Sequence, residues 1–222
     1  MRKKQFQKPL LVLVLWGVIL AAVFAVTLLG NLALARRVGY ARAHDPNPYL
    51  NAAESYLNHA SFREAWAEIA RAREKAPDHP RVHKVTGDFH FRQQHWKEAL
   101  EAYRTAIDAG TDARGVYINA LWSLIELRYY RDAIDFGETC IALGFADAVF
   151  PRYIAEAHLR RGDPNAAIPY LERAMEGYAN DLHLMKQLAE AYRVTGRRTR
   201  AHELQKRIDA LEAPAERASA GG

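Results

Sequence analysis

Cysteine is almost missing from this chain: Cys140 is the only one in 222 residues. One thiol excludes an internal disulfide framework and a CxxC redox or metal site. At position 140 it also excludes a lipid-bearing cysteine near the N-terminus. Catalytic signatures are missing too. The chain has no G-x-S-x-G turn, no phosphate-cradling glycine loop, no H-E-x-x-H and no Cys/His cluster. Its acidic residues are spread along surface-type helical patterns such as REAWAEIARAREK, where Glu64 and Glu68 read as solvated charges. We therefore expect no enzyme activity, no cofactor and no metal site.

Charge is wholly absent from Leu10 to Ala35. As a helix that stretch would be about 39 Å long, more than the roughly 30 Å hydrocarbon layer of a bilayer. Residues 10–35 are thus expected to form a transmembrane signal anchor, with a basic flank over 1–9 and a linker over 36–45. The run exceeds the roughly 7–15 apolar residues of a cleaved secretory signal, although Ala33-Leu34-Ala35 has the form of a cleavage site. Arg2, Lys3, Lys4 and Lys8 precede it, and Arg36, Arg37 and Arg42 follow. The positive-inside rule then favours a cytoplasmic N-terminus, with the body exported, and the Arg36-Arg37 pair opposes that bias. Residues 1–45 hold seven of the 31 Lys/Arg and one of the 26 Asp/Glu, which leaves 24 basic and 25 acidic residues beyond. The formal +5 therefore sits at the membrane flanks, and the body lacks a nucleic-acid footprint.

What the body does have is a period of 34. Ala65, Ala99, Ala133, Ala167 and Ala201 fall in register. Seven residues on come Ala72, Ala106, Cys140, Ala174 and Ile208, and between them Ile69, Tyr103, Gly137, Leu171 and Gln205. Phe62, Trp96 and Tyr130 open the pattern three residues before the first alanine column, as in WKEALEAYRTAI. A further small-residue column runs Ala53, Gly87, Leu121, Ala155 and Ala189. Small residues let two helices cross closely while a bulky neighbour fills the remaining space. Gly162-Asp163-Pro164 supplies a helix stop, an N-cap and a proline at the first helical position, and Gly196 marks the equivalent turn.

This period and these columns resemble the tetratricopeptide repeat family, whose pattern is degenerate here but recognisable. The resemblance implies an all-α, right-handed superhelical solenoid of five helix-turn-helix units over 46–213, preceded by the one transmembrane helix. The units are 46–79, 80–113, 114–147, 148–181 and 182–213, and residues 214–222 are expected to be a disordered tail. Four histidines, His79, His83, His90 and His95, could suggest a metal, but His83 and His90 share columns with tyrosines and read as packing residues.

In this family the first helix of each unit lines a concave groove that carries ligands. The resemblance therefore assigns the partner-binding groove to Lys84, Asp88 and Phe91, to Ile118, Trp122 and Ile125, to Arg152, Glu156 and Leu159, and to Lys186. Trp122 is the focus. Either it is an exposed aromatic framed by charges, as in a binding hot spot, or the curvature of the stack buries it. Some members grip chaperone tails with a carboxylate clamp. The matching positions here are Leu50, Glu54, Val85, Gly115 and Asn119, and only Asn119 has the clamp's chemistry. The implied function is a non-catalytic adaptor or chaperone-like assembly factor. It would be tethered in a bacterial inner membrane by a single pass, with its repeats in the periplasm, and would hold a partner protein segment in the groove. A self-associating scaffold and a cytosol-facing regulatory tether are the alternatives.

Overall fold

The computed structural model describes residues 45–145 and 148–220, together with Thr27, Leu29, Gly30 and Leu32. Every regular element among the described residues is helical. They are α1 (Asn47–Asn58), α2 (Phe62–Lys75), α3 (Pro80–Arg92), α4 (Trp96–Asp108), α5 (Arg114–Glu126), α6 (Tyr130–Ala142), α7 (Val149–Arg161), α8 (Pro164–Gly177), α9 (Leu182–Val194) and α10 (Arg198–Ala220). Consecutive helices pack as five hairpins, each resting on the next. The first helices also touch in series, α1 on α3, α3 on α5 and α5 on α7. Such contacts between neighbouring units only are the mark of a solenoid. Among the described residues no helix is long and apolar enough to cross a membrane. The anchor expected over 10–35 lies outside the described residues, apart from the four isolated positions.

The turns repeat with the sequence. Ala60, Gln94, Arg128, Gly162 and Gly196 stand 34 residues apart, and all five have positive φ, from 55° to 86°. After each one the chain closes on the preceding helix through a bond spanning five residues. These are Ser61 to Tyr56, His95 to His90, Tyr129 to Leu124, Asp163 to His158 and Arg197 to Tyr192, at 2.8–2.9 Å. This is the Schellman closure, which favours glycine. The sequence shows that glycine only in the last two hairpins; the first three place an L-residue in the left-handed region. Asp163 caps α8 by accepting from the Ala166 amide at 3.0 Å, and Pro164 starts that helix.

The small columns are the crossings. Ala65, Ala99, Ala133 and Ala167 are fully buried, as are Ala72, Ala106, Cys140, Ala174 and Ile208. Ala201, on the last described helix, is only partly buried. The bulk at each crossing is shared out differently along the stack. A Cβ on Gly87 would stand 2.5 Å from the Tyr103 ring. One unit on, the wide residue is on the first helix: Leu121 faces Gly137, where a Cβ would stand 2.6 Å from Ile154 and 3.5 Å from Leu121. Cys140 sits in this core, and burial pushes its thiol up to about 11, which leaves it unreactive.

The α10 backbone is helical to Ala220, so it runs past 213, where the ordered sequence pattern ends.

Two substitutions test this architecture. Ala99→Leu overpacks a crossing and is expected to lower stability by about 1–3 kcal/mol in chemical denaturation. Ala60→Gly relieves a left-handed L-residue and is expected to raise it by about 0.5–1 kcal/mol.

Candidate functional site

The inner face of the stack is made by α1, α3, α5, α7 and α9. Its side chains are tied across units by ion pairs and hydrogen bonds. Arg81 on α3 reaches back to α1, donating to Asn47 at 2.7 Å, Asn51 at 2.6 Å and Glu54 at 2.8 Å. Lys84 lies between Glu54 at 3.2 Å and Asp88 at 2.7 Å. Asp88 also accepts from the Tyr103 hydroxyl at 2.8 Å, and Asn119 donates to that hydroxyl at 3.0 Å. Arg92 donates to the Leu57 carbonyl and to Asn58. Further along, Arg160 on α7 bridges Glu126 at 2.9 Å and Glu156 at 2.7 Å, Gln187 donates to Glu156 at 2.8 Å, and Arg152 pairs with Asp181 at 2.9 Å.

These contacts set the titration of the face. Burial opposes the charge on Glu54, but the Arg81 hydrogen bond and Lys84 outweigh it and hold the carboxyl below its usual range. Burial likewise opposes the Lys84 charge, and Asp88 and Glu54 outweigh it and raise its pKa. Burial and the Asp88 carboxylate push the Tyr103 phenol far above its usual value. All these groups keep their ordinary charge at neutral pH and are poorly suited to proton transfer.

Two basins open on the face. One is lined by Lys84, Asp88, Phe91, Arg92, Gly115 and Asn119. The other is lined by Trp122, Arg152, Tyr153, Glu156 and Arg160, with His183 and Gln187 on its far wall. Trp122 is half-buried, between the two alternatives the sequence leaves open. Tyr153 meets its ring edge-on at 5.4 Å, and the Arg160 guanidinium lies over it at 5.3 Å.

The residues assigned from the sequence divide. Lys84, Asp88 and Phe91 line the first basin, and Trp122, Arg152 and Glu156 the second. Ile118 and Leu159 are half-buried, packed against the cores beneath. Ile125 is a correction: it is 0% exposed and belongs to the core. Three residues beyond Trp122 is a rotation of about 60° around the helix, which turns Ile125 off the inner face. Lys186 is exposed and pairs with Glu212 on α10 at 2.6 Å, outside the two basins. Tyr153, Arg160 and Gln187 lie outside the set that the sequence assigns. The 34-residue step from Asn119 reaches Tyr153 and then Gln187, and the step from Arg92 and Glu126 reaches Arg160.

The four histidines that the sequence singles out have separate places. His79 caps α3, its Nδ1 accepting from the Arg81 amide at 3.2 Å. His83 and His90 are half-buried, and burial lowers the pKa of both. His90 lies among Trp66, Phe89 and His95.

Glu54 gives the pH prediction. Its folded pKa is depressed, so its contribution is present above its ordinary value near 4.5 and is lost as pH falls through the folded value. Glu54→Gln should cost about 0.5–1 kcal/mol at neutral pH, allowing for solvent screening. The variant should also lose less stability than the parent on acidification, as read by urea denaturation across pH.

Residues 50–114 match the family model described as tetratricopeptide repeat. No curated protein matches the chain in sequence. Several solved structures are similar to it. One is YrrB, described as a TPR protein with an unusual peptide-binding site (TM-score 0.65, 16% identity, covering 77% of this chain and 88% of that one). Another is MamA from residue 41 to its end, from Desulfovibrio magneticus RS-1 (TM-score 0.69, 15% identity, 77% and 96%). A third is PilF of Pseudomonas aeruginosa (TM-score 0.64, 18% identity, 79% and 78%). At these identities the likeness is one of fold: the five stacked hairpins form a helical solenoid like those structures, and residues 50–114 match the tetratricopeptide repeat model.

Proposed function

We propose that this chain is a non-catalytic, membrane-tethered adaptor or chaperone-like assembly factor that holds a segment of a partner protein along its inner face. The observation that carries this reading is the second basin. A half-exposed tryptophan and a tyrosine stand there in a recess with a polar rim, which is the composition of a protein-binding hot spot. The charged groove side chains serve cross-unit contacts, which suits recognition and not reaction chemistry. YrrB, of like fold, is described as having a peptide-binding site, and the same use of the face is carried over here as part of the proposal.

The tether rests on the uncharged run 10–35 and its basic flanks. A single-pass anchor in a bacterial inner membrane, with a cytoplasmic N-terminus, would put the repeats in the periplasm. Tethering raises the effective concentration of the face near membrane partners, so modest intrinsic affinity suffices.

Two measurements test this. A photo-crosslinking residue at Gln187 should capture a partner in cells, and Trp122→Ala should reduce that capture while helical content is kept. Capture from Glu101, on a second helix, and none from Gln187 would contradict the groove. A C-terminal reporter active only outside the cytoplasm should give signal; a silent reporter, with full-length protein present, would reverse the orientation.

A further inference from the structure

The charges of the inner face are already used. Arg81, Lys84, Arg92, Arg152 and Arg160 are five cations, and each is bound to another residue of the chain. Glu54, Asp88, Glu126, Glu156 and Asp181 are five carboxylates, and each is held by one of those cations. Beyond the basins the pattern continues, with Lys186 on Glu212 and Glu190 on Arg193. Four of the five cations stand on carboxylates, while Arg92 is bound to the neutral Leu57 carbonyl and Asn58, and these contacts staple one hairpin to the next. A charged partner side chain entering the second basin would meet Arg152, Glu156 and Arg160, all of them already in ion pairs. It would also have to displace an existing ion pair, leaving a part-buried charge without its counter-ion.

What the face leaves open is of another kind. Trp122 and Tyr153 present aromatic surface in the second basin, and Phe91 does so in the first. The Tyr153 hydroxyl has no hydrogen-bond partner among the described residues, though burial pushes its phenol up. Asn119 and Gln187 add amide carbonyl oxygens beside them, their NH2 groups being bound to the Tyr103 hydroxyl and to Glu156.

From this pairing we infer that the partner segment is uncharged where it lies on the face. It is a stretch of a protein chain that supplies aliphatic or aromatic side chains to Trp122 and Tyr153 and neutral hydrogen-bonding groups to the amides. The inference rests on the proposed groove function and adds the chemistry of its partner. At the second basin, where Arg152, Glu156 and Arg160 are all in ion pairs, it excludes recognition of a chain-terminal carboxylate or of an acidic or basic motif. Its kinetic consequence is association without electrostatic steering, hence little dependence on ionic strength.

The test uses the full chain in phospholipid vesicles and three labelled, terminally blocked peptides. One contains only Leu, Phe, Ser, Asn and Gln; in the second some polar positions are Glu, and in the third they are Lys. Fluorescence anisotropy is followed from about 0.01 M to about 1 M salt, over which the Debye length falls from about 30 to about 3 Å. Empty vesicles give the background. The expected result is that the neutral peptide binds tightest, with an affinity constant within about twofold across that range. Trp122→Ala should weaken it by about tenfold or more. A charged peptide that binds tightest, weakens steeply with salt and depends on Trp122 would overturn this inference and leave the groove function standing. Binding of no peptide above background, or binding indifferent to Trp122, would sink both.

Discussion

One helical hairpin cannot bury both of its apolar faces, so each unit here is completed by the next. The constraint that follows is one of volume. Where the two helices of a unit cross and the following unit closes over them, the space is fixed, and side chains must fill it without overlap. In the second unit Gly87 makes room for the Tyr103 ring. In the third, Leu121 and Ile154 close on Gly137 from either side. The equivalent triplets, Gly87, Tyr103 and Ala120 against Leu121, Gly137 and Ile154, distribute bulk in opposite ways around the same space. The Ala65 column stays small throughout because the backbones there come close whichever residue carries the bulk.

The inner face inherits its geometry from those crossings. Spacing the first helices at a regular step brings Arg81 to Asn47, Arg92 to Asn58 and Arg160 to Glu126, each 34 residues away in sequence. Such partly exposed pairs contribute little individually. Their effect is to fix side-chain positions, so that Trp122 is held between Tyr153 and Arg160. Packing thus comes first, the polar lattice second, and an ordered aromatic recess third.

The helical hairpins are plain in the sequence, because small residues recurring every 34 positions require a packing unit of that length. The turns are half legible. Gly162 and Gly196 announce a left-handed residue, whereas Ala60, Gln94 and Arg128 adopt it only because the flanking helices force the closure. The groove is legible by column and not by depth. A column tells which way a residue points from its own helix, but each first helix is flanked by two others and by its partner. So Ile125 is in the core while Trp122, one turn away, is half-open. Lys186 stands in a groove column and pairs with Glu212 on α10, a partner the column does not reveal. Arg160 and Tyr153 carry no motif, and their place is seen only when the inter-unit spacing is known in space.

The packing claim is most directly tested by moving the second unit's solution into the third. Denaturant unfolding would be measured for Leu121→Gly, Gly137→Tyr and Ile154→Ala singly and for the three together. Each single change should destabilise, by about 2–5 kcal/mol where a large side chain is removed. The triple variant should be more stable than the sum of the singles predicts by at least about 1 kcal/mol, the size of a contact coupling. Strict additivity of the three would contradict the account, since residues that do not share one space have no reason to compensate.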